Sequence, residues 1–353
     1  MIIVNARFLT QSITGVQRFA VEISLKLKEQ FGDKIIFVAP NDIIQHDYAR
    51  RLGAKSIGKL HGHFWEQIEL PLFLKRHGKP LLLCLCNTAP IYYKNKVVTL
   101  HDVAFYVFPK MFSQSFLAVY HFMIPRILKK SRHVITVSEF SKQEIINYCG
   151  TDSNKISVVY NAVSGNFRYV KDNKLAKQKY FLAVSSLNYR KNFPAVLEAF
   201  KKFEEHNSEG SLYIIGDMTN SSFTSLDVEK YRADERIKFL GRVSDKDLVR
   251  YYSNAVAFIY PSLYEGFGIP PLEAQQCRCP VIASNATSLP EVLDHSALFS
   301  SPNNIMGFAN KMLQLYQNES LRNKLVEKGF TNASRFSWAK SAEEILNILI
   351  TNS

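Results

Sequence analysis

A chain of 353 residues is long for one domain and comfortable for two, each able to bury its own core without disulfides or metal. Its 46% hydrophobic, 12% aromatic and 21% charged content is that of an ordinary globular protein and excludes a disordered or fibrous one. The net charge of +13 is uneven: residues 1–165 hold 21 Lys and Arg against 11 Asp and Glu, or +10, and the remainder 23 against 20, or +3.

The first apolar run, Met1 to Val4, meets Asn5 and Arg7 too soon for a secretory h-region, and Leu81 to Cys86 is too short to cross a bilayer. The expectation is a protein that is neither secreted nor transmembrane. Strand-like runs at Met1 to Asn5, Lys34 to Ala39, Pro80 to Cys86, Lys96 to Leu100 and Arg132 to Val137 alternate with helical periods such as Val16 to Glu29 and Ser115 to Lys130. That alternation specifies a parallel sheet covered by helices. After a strand at Ile156 to Tyr160, a polar stretch to Lys179 without sustained period reads as a linker. A second series follows: Tyr180 to Val184, Ser211 to Ile215, Ile237 to Leu240, Val256 to Tyr260 and Pro280 to Ala283, with helices at Pro194 to Glu205 and Asp245 to Ser253. The last segment, Trp338 to Leu349, carries Trp338, Ala342, Ile345, Leu346 and Leu349 at helical spacing and needs an apolar groove to cover. The expected fold is therefore α/β with two doubly wound domains, residues 1–165 and 166–335, followed by a terminal helix in residues 336–353.

The cysteines include two C-x-C pairs, Cys84/Cys86 and Cys277/Cys279, which is not structural zinc spacing, so reduced thiols and no metal are expected. A basic surface attracts nucleic acid, anionic lipid or phosphorylated substrates. The positive residues are scattered among aromatics and aliphatics, and no zinc-finger, RNP or basic-zipper pattern accompanies them. A membrane surface or lipid phosphate is the preferred partner, and nucleic acid is not expected.

In an open parallel sheet, ligands sit beyond the carboxyl ends of the strands. Four places there hold chemistry-bearing residues. His101-Asp102 follows the run Val97 to Leu100; the imidazole can donate a hydrogen bond or take a proton, and Asp102 is positioned to orient it. Asn188-Tyr189-Arg190-Lys191-Asn192 joins two cations to a helix start with Asn192 as cap and Pro194 in the first turn, a site suited to pyrophosphate. In Tyr264-Glu265-Gly266-Phe267-Gly268-Ile269-Pro270-Pro271-Leu272-Glu273, the glycines permit close approach of the backbone, and the two carboxylates can each accept from a pair of sugar hydroxyls. Thr14-Gly15-Val16-Gln17-Arg18, the turn after the first strand, lacks the G-x-G-x-x-G dinucleotide fingerprint; Gly15 remains a candidate for a cleft loop.

The Glu265-x7-Glu273 element, with Cys279-Pro280-Val281-Ile282-Ala283-Ser284 and Leu289-Pro290-Glu291-Val292 after it, closely resembles the donor-site signature of the retaining GT-B glycosyltransferases of group 1, family 4. The resemblance continues through His101 to Phe105, Val137 to Ser141, Arg190-Lys191-Asn192, Leu240 to Val243 and Trp338, so it covers nearly the whole chain. It implies two Rossmann-like domains facing across a cleft, the last helix crossing back to the first. It also implies roles. Glu273 would hold the donor ribose; Glu265 and the backbone of Gly266, Phe267, Gly268 and Ile269 the donor sugar; Arg190 and Lys191 the diphosphate. Arg242 and Val243 would flank the base, and His101 and Glu265 would be the catalytic side chains. With fixed cations at the diphosphate no divalent metal or other cofactor is expected, the nucleotide-sugar being a substrate. Two departures stand out: Ser185-Ser186 replaces a common Gly-Arg pair, and Asn161-Ala162-Val163 replaces Asn-Gly-Val near the hinge.

The variants are similar to bacterial enzymes assembling O-antigen, capsule or other surface polysaccharide. The donor reading favours GDP-mannose over UDP-sugars. The acceptor is expected to be a lipid-diphosphate-linked saccharide, reached by a cytoplasmic protein attached peripherally to the inner face of the membrane. A catalytically silent nucleotide-sugar-binding or scaffold protein and an epimerase of the same architecture are the alternatives, distinguished by the need for an acceptor.

Overall fold

The computed structural model describes residues 1–184, 189–216 and 231–352. It divides into two compact units, Met1–Asn161 with Ser337–Ser353, and Ala162–Phe336.

The first unit is a seven-stranded sheet in the order β3-β2-β1-β4-β5-β6-β7, every pair parallel. Its strands are β1 (Ile2–Asn5), β2 (Ile35–Ala39), β3 (Lys55–Ser56), β4 (Leu81–Cys84), β5 (Lys96–Thr99), β6 (His133–Thr136) and β7 (Ile156–Val158). β4 and β5 are buried at every position, as strands covered on both faces must be. Helix α1 (Gly15–Phe31) starts at Thr14, where a capping box with Gln17 satisfies the first free N–H groups, and buries Phe19, Ala20, Ile23 and Leu27. α2 (Gln114–Lys130) is capped by Ser113, whose hydroxyl accepts from Phe116 N, and α3 (Glu139–Cys149) by Ser138, which accepts from Ser141 N.

The second unit is a six-stranded parallel sheet ordered β10-β9-β8-β11-β12-β13. Its strands are β8 (Tyr180–Val184), β9 (Ser211–Ile215), β10 (Ile237–Gly241), β11 (Ala257–Tyr260), β12 (Val281–Ser284) and β13 (Leu298–Ser300). Helices α4 (Phe193–Glu204), α5 (Asp245–Asn254), α6 (Ile269–Gln276), α7 (Ile305–Gln317) and α8 (Glu319–Ala333) cover it. Phe193, Phe200 and Phe203 of α4 and Phe308 and Met312 of α7 fill the core beside β8 and β9. The final helix α9 (Trp338–Thr351) belongs to the first unit: Trp338 meets Phe19 of α1 edge-on at 5.9 Å, Ala342, Ile345 and Leu349 are buried, and Ser341 Oγ donates to Tyr160 O at 2.7 Å. The apolar stripe read from the sequence thus has its groove.

In both sheets the strand order reverses beside the first strand, between β1 and β4 and between β8 and β11. Loops diverge at such a switch point and leave a crevice for a ligand. All five cysteines are free thiols. Among the described residues no helix is long and apolar enough to cross a membrane.

Candidate active site

The switch point of the second unit brings together the loops that follow β8, β11 and β12. Leu263 N donates to the carbonyl of Arg190 at 2.7 Å, which ties the basic turn to the loop beyond β11. Asn192 occupies the cap position of α4 at φ 50°, but its side chain does not cap. Its Nδ2 donates to Pro261 O at 3.2 Å and Pro302 O at 2.7 Å, fastening the turn to two neighbouring loops. The reading of Asn192 as an N-cap side chain is corrected accordingly: a left-handed backbone there turns the amide away from the helix.

Glu265 lies at the centre of this arrangement. Its Oε1 accepts from Lys191 Nζ at 2.6 Å, Tyr260 OH at 2.7 Å and Ser262 Oγ at 2.5 Å. Lys191 Nζ also donates to Tyr260 OH at 2.9 Å. Burial pushes the Glu265 carboxyl up, but the Lys191 charge and these donors outweigh it and hold the group below its ordinary range. Burial and the same carboxylate push the Tyr260 phenol well above its usual value, so it stays protonated and donates. Three donors thus meet one carboxylate oxygen, Oε1, and among the described residues no hydrogen bond is made to Oε2. Among the described residues Lys191 Nζ, with three N–H groups, has these two partners.

The backbone of the loop is held as tightly. Glu265 N donates to Thr287 Oγ1 at 3.1 Å, and the single O–H of Ser288 is shared between the carbonyls of Glu265 and Phe267, each 3.0 Å from its Oγ. Ser284 Oγ donates to Ser262 O at 2.5 Å. Gly268 takes φ 96° at the start of α6, and a Cβ there would stand 2.6 Å from Leu289 Cδ2, so any other residue is strained. Gly266 has no positive φ. Ile269 opens α6, Pro270 and Pro271 sit in its first turn, and Glu273 follows, 9% exposed. Arg242 and Val243 follow β10 at the edge of the same sheet. Asn188, Ser185 and Ser186 lie outside the described residues.

In the first unit His101 follows β5, 5% exposed, with Nε2 2.9 Å from Leu85 O and its backbone N–H donating to Asn87 Oδ1 at 2.9 Å. The ring meets Phe19 edge-on at 4.9 Å. A carbonyl partner puts the proton on Nε2, and burial lowers the imidazole pKa, so the ring is neutral with Nδ1 as acceptor. Asp102 does not orient it. That carboxylate instead accepts from Ala104 N at 2.9 Å, and the Leu85 carbonyl sets the ring, which corrects the role read for Asp102. Gly15 is exposed and is the first residue of α1. Tyr260, at the end of β11, and Ser262, Thr287 and Ser288 in loops escaped sequence reasoning, since single hydroxyls carry no spacing signal. Among the described residues no group of three His, Cys, Asp or Glu side chains is placed to hold a metal ion.

Residues 166–331 match the family model for glycosyl transferases group 1, and residues 13–165 that for glycosyltransferase family 4. The chain belongs to this family of glycosyltransferases and is an enzyme of that class. It is 30% identical over 263 residues to O-antigen chain mannosyltransferase B of Escherichia coli, covering 71% of this chain and 69% of that protein. To O-antigen chain mannosyltransferase RfbU of Salmonella typhimurium it is 29% identical over 317 residues, 85% and 86% of the two chains. Among solved structures it is similar to Anabaena HepE in complex with UDP-glucose, at a TM-score of 0.75 and 16% identity over 99% of both chains, which shows the GT-B fold.

Proposed function

We propose that the enzyme transfers a hexose from a nucleotide-sugar to a saccharide of a bacterial surface polysaccharide, with retention of the anomeric configuration. The observation that carries this reading is the switch point of the second unit: a hydroxyl-accepting carboxylate, Glu265, locked by Lys191, Tyr260 and Ser262 beside a basic turn and a second carboxylate, Glu273. Glu265 Oε2 and the backbone from Gly266 to Ile269 receive the donor sugar, Glu273 the ribose, and Arg242 and Val243 flank the base. Arg190, the remaining N–H of Lys191 and the start of α4 meet the charge that develops on the departing diphosphate, the usual way such a transition state is stabilised. We assign no metal to this step. His101 is the catalytic candidate of the first unit.

The relatives' names favour a mannosyl donor, hence GDP-mannose, while the structure of HepE with UDP-glucose keeps UDP-sugars as the alternative. A thermal-shift screen of GDP-sugars and UDP-sugars, with release of nucleoside diphosphate as second readout, tests this. One nucleotide class should stabilise wild type and not the Glu273→Ala variant; wild type indifferent to every nucleotide-sugar would sink the donor assignment.

The proposed acceptor is linked to a lipid diphosphate, and the proposed location is the cytoplasmic face of the inner membrane. Phe64, Ile68 and Leu72, four residues apart, are each about half or more exposed, and the exposed Lys75 and Arg76 follow. Apolar side chains flanked by cations suit an anionic bilayer surface. Sedimentation with phosphatidylglycerol vesicles is expected in low salt, with release as salt rises; equal recovery with phosphatidylcholine alone would remove the charge argument.

A further inference from the structure

In the first unit, β4 and β5 are in register with Cys84 opposite Val98, and Leu82 N donates to Asn95 O at 3.0 Å. Alternate residues of a parallel strand bond the same neighbour, so an unbroken ladder would set Cys86 opposite Leu100, its N–H donating to Thr99 O and its carbonyl accepting from His101 N. The structure puts Asn87 in that place. Asn87 N donates to Thr99 O at 2.9 Å, and His101 N donates to Asn87 Oδ1 at 2.9 Å. One extra residue has thus entered the chain beyond β4. Asn87 takes φ 53°, a left-handed backbone that Asn adopts more readily than most residues, and its side-chain amide oxygen does what a backbone carbonyl does in the ladder. Bulges of this kind recur beside active sites, where they re-aim a side chain.

In a straight ladder Leu85 would face β1, the neighbour on the other side. Here its carbonyl lies 2.9 Å from His101 Nε2. Asn87 therefore grips the backbone of His101, and Leu85 its ring. The turn that carries both is anchored in turn. Thr88, 1% exposed, accepts from Arg7 Nη2 at 2.8 Å, and Arg7 Nε donates to Glu66 Oε1 at 3.3 Å. Glu66 lies on a π-helical turn, Trp65–Glu69, pinned on both sides: Trp65 Nε1 donates to Ile57 O, Gln67 Nε2 to Ala89 O and Ile91 N to Gln67 Oε1, at 2.9 Å each.

We infer that Asn87 is a positioning residue for His101: it fixes the turn beyond β5 so that Nε2 donates to the Leu85 carbonyl and Nδ1 is presented as an acceptor. The ring rotates freely about its two side-chain bonds, so its bond to Leu85 O lasts only while residues 85 and 101 keep their spacing. Asn87, two residues from Leu85, holds that spacing by bonding on both sides of Leu100. Without the amide oxygen the His101 N–H loses its partner, the ring exchanges Leu85 for water, and either nitrogen then carries the proton. A proton on Nδ1 would put a donor where the acceptor was. This role rests on the transferase reading above, in which His101 is the catalytic candidate of the first unit.

The test uses Asn87→Gly, since glycine accepts the left-handed backbone without strain and removes only the side-chain acceptor. Asn87→Asp, which keeps an acceptor and tolerates the same backbone, is the conservative variant. Isotope-edited NMR of the histidine side-chain nitrogens, with the His101 signals assigned by their loss in His101→Gln, reads the ring directly. Wild type and Asn87→Asp should show the Nε2-protonated ring, and Asn87→Gly a mixture of tautomers. With the preferred nucleotide-sugar, Asn87→Gly should lower kcat about tenfold to a hundredfold, the scale for a misplaced catalytic group, with nucleoside-diphosphate affinity unchanged. In a His101→Gln background the same substitution should cost less than about twofold, the scatter of such cycles. An equal loss in both backgrounds, or the wild-type tautomer retained in Asn87→Gly, would overturn the positioning role. So would a folded Asn87→Asp that has lost that tautomer. If wild type turns over no nucleotide-sugar, the transferase reading fails, while the NMR comparison still decides whether Asn87 sets the ring.

Discussion

Glu265→Gln is expected to lower kcat about a hundredfold to a thousandfold, the range for removing one preorganised electrostatic element from an active site. The carboxamide keeps the shape, but the charge facing Lys191 is gone, and either the edge that received three donors or the edge left for the sugar becomes an NH2. Nucleoside-diphosphate affinity should change much less, since in the proposed site the diphosphate is met by Arg190 and the helix start. Steady-state kinetics with the preferred donor, beside calorimetric titration of the free nucleotide, separates the two. A variant with wild-type kcat would remove Glu265 from the reaction. There is also a pH signature. The folded carboxyl lies below its unfolded value because Lys191 outweighs burial, so the pair contributes stability that is complete above the unfolded pKa of about 4.3 and disappears as pH falls through the folded one. Acid should therefore cost wild type stability that the Gln variant does not have to lose.

Gly268→Ala is expected to reduce stability by roughly 1–3 kcal/mol, the cost of a side chain at a sparsely populated backbone conformation. The added methyl also meets Leu289, which is fully buried and has little room to turn. Because Gly268 sets the angle at which α6 leaves the loop, nucleotide affinity should fall about tenfold or more through displacement of Glu273. Denaturant unfolding and nucleotide titration together check it. Unchanged stability and affinity would show that this loop does not depend on the left-handed turn.

The element pattern was legible wherever burial imposed it. β8 and β9 have in the structure the same ends as in the sequence pattern, because a strand covered on both faces is a continuous apolar run bounded by polar residues. β3, two exposed polar residues at a sheet edge, has no such signature. Nor does the π turn at Trp65–Glu69, whose extra residue per turn depends on anchors at Ile57, Ala89 and Ile91.

The candidate site divides in the same way. Residue types at strand ends, and the short spacing from Glu265 to Glu273, are properties of a local segment. The sequence alone therefore determined the α/β class, the two parallel sheets, the loops proposed to carry the chemistry and the family. Pairings across tens of residues are not local. Lys191 meets Glu265 at a separation of 74 residues, Arg7 meets Glu66 at 59, and Leu85 rather than the adjacent Asp102 turns His101. Which charges neutralise one another, which carboxylate oxygen stays open and how the imidazole is turned were decided only by the tertiary structure. Hydrogen bonds and Coulomb energies depend on distances of a few ångströms, and the strand order of each sheet sets those distances.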